Sequence, residues 1–417
     1  MGNVRRVLLI APHLSYRIGA YLRAAANLDI EVVLASTAAT GLVAGPSDGL
    51  HISLDDPVSA ADTLVYAAQE MCVGAVVATD DATVELASVV AGRLGIHHNP
   101  PDAVRRTRRK DLAREVLREA RVPVPDFVRI DLTREVTSQV SQELFPAVLK
   151  PLALSGSRGV MRVDDYEQLE ESAVRLRAIL MAESPAAVVE RDQALLEAFI
   201  PGVEVALEGM LDDGRLRTIA IFDKPDPLDG PFFEETYYIT PSRHDAALQR
   251  AMIACVQTIC ATYGLCQGPV HAELRIGADG VVWPLEVAAR TIGGDCARLL
   301  SFGGEHGLEA LVLAQAAGMR LPKMRNGAGG VLMIPTSRPG VLRRVEGVTA
   351  AESVALVDEV IISARTGQEL TPLPEGASYL GFIFATGPDP AAVEAALRAA
   401  YGHLNIVTAP SWRIEMR

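Results

Sequence analysis

Long apolar runs are missing from this sequence. No stretch reaches the about eighteen residues of a membrane-spanning helix, so a soluble, cytoplasmic protein that does not enter a membrane is expected. The start, Met1-Gly-Asn-Val-Arg-Arg-Val-Leu-Leu-Ile, places basic residues before apolar ones, but Pro12 and His13 cut the run short. It reads as a first strand and not as a signal sequence. An excess of positive charge is also absent. The 39 Lys and Arg against 52 Asp and Glu give a formal net charge of -13, which argues against a nucleic-acid partner while leaving room for a local basic pocket. Cysteine is scarce and unpatterned: Cys72, Cys255, Cys260, Cys266 and Cys296 form no CxxC pair, as expected of reduced thiols. Cys255 and Cys260 fall in an apolar helical stretch and read as core residues. Two familiar nucleotide loops are lacking: the turn Ala11-Pro-His-Leu-Ser-Tyr-Arg-Ile-Gly19 is not GxGxxG, and there is no GxxxxGK[ST]. Internal repeats, low-complexity tracts and a biotinyl-carrier segment are absent too.

What is present is a chain of ordinary globular composition, 49% hydrophobic and 22% charged, long enough at 417 residues for two to four domains. Arg6–Ala11, Glu31–Ser36 and Gly74–Thr79 read as buried strands, with helices near Ile18–Asn27 and Ala60–Met71. Short apolar strands alternating with helices predict a wound, parallel α/β sheet over about the first hundred residues. Asp102 to Ala120 patterns as one charged amphipathic helix ended by Val122-Pro-Val-Pro125, and Phe127–Ile130 as a strand. Between Glu143 and Ile200 the order is strand, glycine loop, strand, helix (Tyr166 to Met181), strand. Glu204–Phe222 and Gly268–Val287 alternate like antiparallel strands around a helix from Asp245 to Tyr263. A helix at His306–Gly318 precedes a last module with a strand at Tyr379–Ala385 and a helix at Pro390–Tyr401.

Glu273 and Glu286 stand thirteen residues apart on two strands joined by the turn Gly277-Ala278-Asp279-Gly280. Side by side, two carboxylates repel unless a cation lies between them, and Mg²⁺ takes carboxylate oxygens while keeping water and phosphate ligands. A solvated hairpin explains the pair as well. Lys150 ends a strand just before Ser155-Gly156-Ser157-Arg158-Gly159, so its ammonium can meet phosphate oxygens while the loop amides fold over them. A plain Ser/Gly turn is the alternative. In Leu195–Glu208 a strand passes through Pro201-Gly202 into another. Backbone groups from Ala198 through Phe199 to Ile200 can pair with an adenine edge, and Glu204 can accept from ribose hydroxyls, or Glu197 and Glu204 are simply polar positions on half-buried strands.

Taken in order, Lys110, Lys150 with its loop, Glu197 to Glu204, Glu273, Glu286 and Arg290 resemble the ATP-grasp superfamily over about residues 105 to 320. The resemblance implies an α/β chain, α+β in parts. Its expected units are a pre-ATP-grasp domain (1-103), a linker helix and start of the ATP-grasp fold (104-142), a mobile lid (143-200), a catalytic subdomain (201-323) and a C-terminal α+β module (324-417). It implies ATP and Mg²⁺, with Mn²⁺ as a substitute. Lys110 and Lys150 would hold the α- and β-phosphates, Glu197 would meet the adenine amino group and Glu204 the ribose, and Glu273 and Glu286 would bind the metal. Where many members place a metal-binding asparagine, this chain has Ala288. The form Glu286-Val-Ala-Ala-Arg290, with His271-Ala-Glu273, resembles the L-amino acid ligases of the bacilysin-synthetase type.

That family activates a carboxylate as an acyl phosphate, which an amine then attacks. Small-molecule carboxylate and amine substrates, amino acids above all, are therefore the expected partners, and the resemblance allows a homodimer; the alternatives are a ligase or carboxylase acting on bicarbonate or another small carboxylate, and a nucleotide-binding protein without turnover. Arg290 would grip the oxyanion or the first carboxylate bidentately. His271 is a candidate base or a support for the metal ligand. In the loop Phe222–Arg243, Lys224 and Arg243 can hold a carboxylate or phosphate, and Glu234 or Glu235 an amino group. Gly293-Gly294-Asp295 reads as a helix start whose amides can bind a substrate carboxylate.

Overall fold

The computed structural model describes residues 6–37, 49–183, 187–300, 307–319, 327–376 and 379–411. The amino-terminal unit is the expected wound sheet. Strands β1 (Arg6–Ala11), β2 (Glu31–Ser36), β3 (Leu50–His51) and β4 (Ala75–Ala78) pair in parallel in the order β3-β2-β1-β4. Helices α1 (Ile18–Asn27), α2 (Pro57–Glu70) and α3 (Asp81–Leu94) cross between or follow them. From Val7 to Ala11 β1 is fully buried, as its unbroken apolar run requires.

The single helix expected over 102–120 is instead two, α4 (Pro101–Arg108) and α5 (Lys110–Glu119). Arg109 leaves helical geometry at φ -102, ψ 102, which frees the Lys110 amide to donate to Leu152 O at 3.0 Å. The break is where the chain is tied to the unit above the cavity.

That unit, which takes in the segment expected as a lid (143-200) but begins one strand earlier, contains β5 (Phe127–Asp131), β6 (Ala147–Pro151), β7 (Met161–Val163), α6 (Tyr166–Glu183), α7 (Val188–Asp192) and β8 (Gln193–Ala198), with sheet order β5-β8-β6-β7. Gly159, at φ +69, lies so close to α6 that a Cβ would sit 2.7 Å from Leu176 Cδ1.

The third unit is built on β9 (Val203–Asp212), β10 (Arg215–Lys224), β11 (Tyr237–Thr240), α8 (Ala246–Tyr263), β12 (Gly268–Ile276) and β13 (Val282–Ala288). Asp245 caps α8 by accepting from the amides of Ala247 and Leu248, and Gly264 ends it in the left-handed conformation. The helix buries Met252, Val256, Ile259, Cys260 and Tyr263 against Val205, Leu207, Leu274 and Val287 on one face of the sheet. Cys260 is thus core, as expected, with Cys255 packed beside it.

After α9 (Leu308–Ala316) come β14 (Ala328–Ile334), β15 (Gly340–Glu346), α10 (Val348–Glu352), β16 (Val357–Ile362), β17 (Glu369–Leu370), β18 (Gly381–Gly387), α11 (Pro390–Gly402) and β19 (Asn405–Ala409). His306, the expected first residue of the helix before this module, lies outside the described residues. Strands β14, β18 and β16 extend the third unit's sheet to eight strands, in the order β13-β12-β9-β10-β11-β14-β18-β16. Among the described residues no helix is long and apolar enough to cross a membrane.

Candidate active site

Because side chains on a strand alternate between faces, the face of β10-β9-β12-β13 opposite α8 carries a different residue set. Lys224 pairs with Glu204 and Glu204 with Arg275. Ala206 pairs with Glu273, and Glu273 in turn with Glu286, while Glu208 pairs with His271 and His271 with Ala288. One face of the sheet is therefore apolar and the other a lattice of charge. β13 is an edge strand, which tolerates Pro284, and a bulge between the Glu273 and Leu274 registers lets the Leu285 carbonyl accept from Arg114 at 2.8 Å.

The charged face floors a cavity of about 870 Å³. The loop 153–158 roofs it, and its walls take in Tyr16, Arg17, Asp80 and Asp81 from the amino-terminal unit and Met333, Tyr379 and Phe382 from the carboxy-terminal module. Of the residues expected at the site, Lys110, Lys150, Ser155, Gly156, Ser157, Glu197, Ala198, Phe199, Glu204, Glu235, His271, Glu273, Glu286, Arg290, Gly293 and Gly294 all line this space.

At the lid side, Glu197 accepts from Lys150 at 2.6 Å and from Arg114 at 2.7 Å. Burial alone would raise its pKa, but the two cations overcome this and hold it down at about 2. Lys150 is shifted down, first by burial and then by the repulsion of Arg114, with Glu197 opposing. Lys110 donates to Leu154 O at 2.9 Å and lies 3.3 Å from Glu286 Oε2. The amides of Ala198 and Phe199 are taken by the carbonyls of Asp126 and Pro146, both at 2.8 Å. Those two amides are therefore committed to the hinge and not to a ligand. Gly159 does not reach the cavity, since its N–H donates to Pro374 O at 2.9 Å. Gly156 and Ser157 are both left-handed, with φ +65 and +55.

At the centre the expectation for Lys224 is corrected. Its ammonium is buried under the floor, 2.7 Å from Glu204, bonded to Glu235 and 3.7 Å from Glu273, so it holds no substrate carboxylate. Three carboxylates raise it far above the ordinary lysine range despite burial. Glu204 also takes Arg275 at 2.9 Å, so each of its oxygens already accepts from a protein cation while the residue still lines the cavity. Arg243 binds Asp223 and Glu394 away from the cavity. Burial and the repulsion of Glu273 push Glu235 up to about 7, and it accepts from Tyr238 Oη at 2.7 Å.

His271 Nδ1 is 3.1 Å from Glu208 Oε2, and Nε2 is 3.5 Å from Glu273 Oε1. Burial lowers its pKa, but the two carboxylates win and carry it to about 9. Both ring nitrogens thus face acids, a geometry that suits a support for Glu273 better than a free base. Arg290 donates to Asp81 at 2.7 Å and to Thr291 O at 2.9 Å. Asp295, at φ 55, replaces the expected helix start with a single 3₁₀ turn over Cys296–Leu299, so Gly293 and Gly294 line the cavity without a helix terminus behind them.

The residues not anticipated come from outside the central motif. Asp80 and Asp81 follow the carboxyl end of a parallel strand, a position where α/β sheets commonly place ligand-binding groups, and that was the signal available for them. Glu208 and Arg275 share their neighbours' face by the two-residue period of a strand.

A donor set of Glu273 and Glu286, opposed in register and rich in carboxylate oxygen, fits Mg²⁺ or Mn²⁺. Glu204, Glu235 and Glu273 also bring oxygens within 4.8 Å of one another, but the Lys224 ammonium already answers Glu204 and Glu235.

Comparison with known proteins agrees with this geometry. Residues 143–298 match an ATP-grasp domain, and residues 332–409 match an L-amino acid ligase C-terminal domain 2. The chain is 26% identical over 309 residues to a Sinorhizobium fredii protein described as "Uncharacterized protein y4rH", covering 72% of this chain and 61% of that one. It is 29% identical over 210 residues to carnosine synthase 1 of Gallus gallus, covering 48% of this chain and 22% of that one. The matched part thus spans less than two thirds of either relative. A crystal structure of an L-amino acid ligase from Bacillus licheniformis superposes with a TM-score of 0.79 at 22% identity, covering 98% of this chain and 100% of that one, which shows a shared fold.

Proposed function

Starting from a chain that belongs to the ATP-grasp ligase family, we propose that it joins the carboxylate of one amino acid to the amine of another at the expense of ATP. One observation carries this reading: Glu273 and Glu286 face each other on the cavity floor, and Lys110, Lys150 and Arg290 line the same cavity. Several cations around a carboxylate pair suit a triphosphate and a substrate carboxylate held together. The name of the Gallus gallus relative and the C-terminal domain match support amino acids as substrates.

In this reading Lys110 and Lys150 neutralise phosphate charge, and the Gly156–Ser157 amides cover it from above. Adenine contacts fall to Ile200, on the cavity wall between the committed amides and the Pro201-Gly202 turn. Mg²⁺ held by Glu273 and Glu286 would supply charge neutralisation on the phosphates. Arg290, fixed at Asp81, presents its remaining donors to the carboxylate that attacks the γ-phosphorus. An acyl phosphate and ADP result. The amine then attacks the acyl carbon, giving an amide and phosphate, and the amine's proton leaves with the solvent or phosphate. Glu235, on the cavity wall and answered from below by Lys224, offers negative charge to a substrate ammonium. Water must be kept from the acyl phosphate, and the loop 153–158 over the cavity is placed to do this.

Phosphate release from ATP, screened over pairs of amino acids with mass detection of products, tests the proposal. Release that requires both partners and yields a mass equal to their sum less water is expected. Release with bicarbonate alone, or none with any pair, would overturn it.

A further inference from the structure

Glu208 does not line the cavity, yet its carboxylate is fully buried directly beneath it. A carboxylate so placed persists only with its oxygens engaged. Oε2 faces His271 Nδ1 at 3.1 Å, and Oε1 accepts from the Ile292 amide at 3.1 Å. His271 stands opposite Glu208 in the β9–β12 ladder and turns Nε2 to Glu273 Oε1 at 3.5 Å. Ile292 lies between Arg290 and Gly293. Arg17 donates to the carbonyls of Thr291 and Ile292 at 3.5 and 3.2 Å, so the turn is gripped on both sides. One side chain therefore joins the strand that bears Glu273 to the loop that bears Arg290. An apolar residue of similar size would fill the space but leave the Ile292 amide unmet and the imidazole free to turn.

We propose that Glu208 is a positioning residue of the ligase site, locking the His271 ring toward Glu273 and the Thr291–Gly293 turn beneath Arg290. The inference rests on the reading of Glu273 as a metal ligand. Groups that orient a metal ligand typically change metal affinity or activity about 10–100-fold when altered.

Glu208→Gln keeps the shape but cannot accept from both partners. The test is Mn²⁺ binding in the presence of ADP, followed by the electron paramagnetic resonance of free Mn²⁺, alongside melting temperature and ADP binding without metal. The expected result is a Kd for Mn²⁺ raised about 10–100-fold, with metal-free ADP binding unchanged. His271→Gln should give a similar loss, and the double variant should be no worse than the poorer single variant, because both act through one contact. Should Glu208→Gln not fold, His271→Gln, on the cavity wall, carries the test in its place. Unchanged Mn²⁺ affinity in a folded variant, or additive losses in the double variant, would overturn the inference while leaving the ligase reading intact. Failure of the unaltered protein to bind Mn²⁺ with ADP would overturn the metal-ligand reading and this inference with it.

Discussion

Two lysines at the same cavity, one lining it and one buried beneath its floor, have opposite electrostatic surroundings. Lys150 is desolvated and shares one carboxylate, Glu197, with Arg114, so burial and the second cation together leave its proton held less tightly than usual. Lys224 is ringed by Glu204, Glu235 and Glu273, so anions outnumber it and its proton is held far more tightly. The difference teaches that a buried lysine is available to a ligand only where the protein leaves it short of counter-charge. Lys150 has charge to offer a phosphate. Lys224 has none, and instead makes a crowd of acids tolerable.

The largest effect expected from disturbing this contrast is on catalysis. Glu286→Ala or Lys150→Ala should lower ATP turnover by about a thousandfold or more while far-UV circular dichroism stays that of the parent. Near-normal turnover in either variant would break the assignment of the phosphate end. Stability should show the reverse ranking of the two lysines. Lys224→Met strands Glu235 and Glu273 without their cation and should cost roughly 3–5 kcal/mol in denaturant unfolding. Lys150→Met leaves Arg114 on Glu197 and should cost at least about 2 kcal/mol less than that. Equal losses would show that counter-charge is not what separates the two sites.

Acid sharpens the same comparison. The Glu197 carboxyl is depressed in the folded protein from an ordinary value of 4.5 to about 2. Its contribution is therefore complete above pH 4.5 or so and is lost as the pH falls toward 2. The difference corresponds to about 3 kcal/mol, and Glu197→Gln should flatten that part of the pH–stability curve. A variant with an unaltered acid limb would remove Glu197 from the account. The smallest effect belongs to the lid's contact with the C-terminal module, where Arg175 grips Glu375 at 2.8 Å on a half-exposed surface. Glu375→Gln should change stability by less than about 1 kcal/mol and raise the KM for ATP only a few-fold. A large rise would mean that this contact holds the roof in place.

Much of this was legible in the chain. The Glu273–Glu286 hairpin, the wound amino-terminal sheet, the lid's order of elements and α8 with its Asp245 cap follow from local periodicity and turn chemistry, which act within a few residues. The split at Arg109 was not legible, because an amphipathic pattern runs unbroken through it. The break is dictated by a distant carbonyl, Leu152 O. The fate of Lys224 was hidden for the same reason: its position in the loop sequence suggests a ligand contact, and only the ladder register to Glu204 reveals that its charge is already spent. Asp81 meets Arg290 from more than two hundred residues away, beyond the reach of any spacing argument.

The eight-stranded sheet has a practical consequence for anyone wishing to change what this protein accepts. Met333 and Phe382 sit on β14 and β18, and β14 is hydrogen-bonded to β11 along four consecutive register pairs. Cutting the chain ahead of β14 would bare the backbone edge of β11, an open template for aggregation. Grafting a carboxy-terminal segment from a relative would have to reproduce that seam strand for strand. Altered preference should therefore come from exchanging individual side chains where β14 and β18 line the pocket, with the backbone left whole.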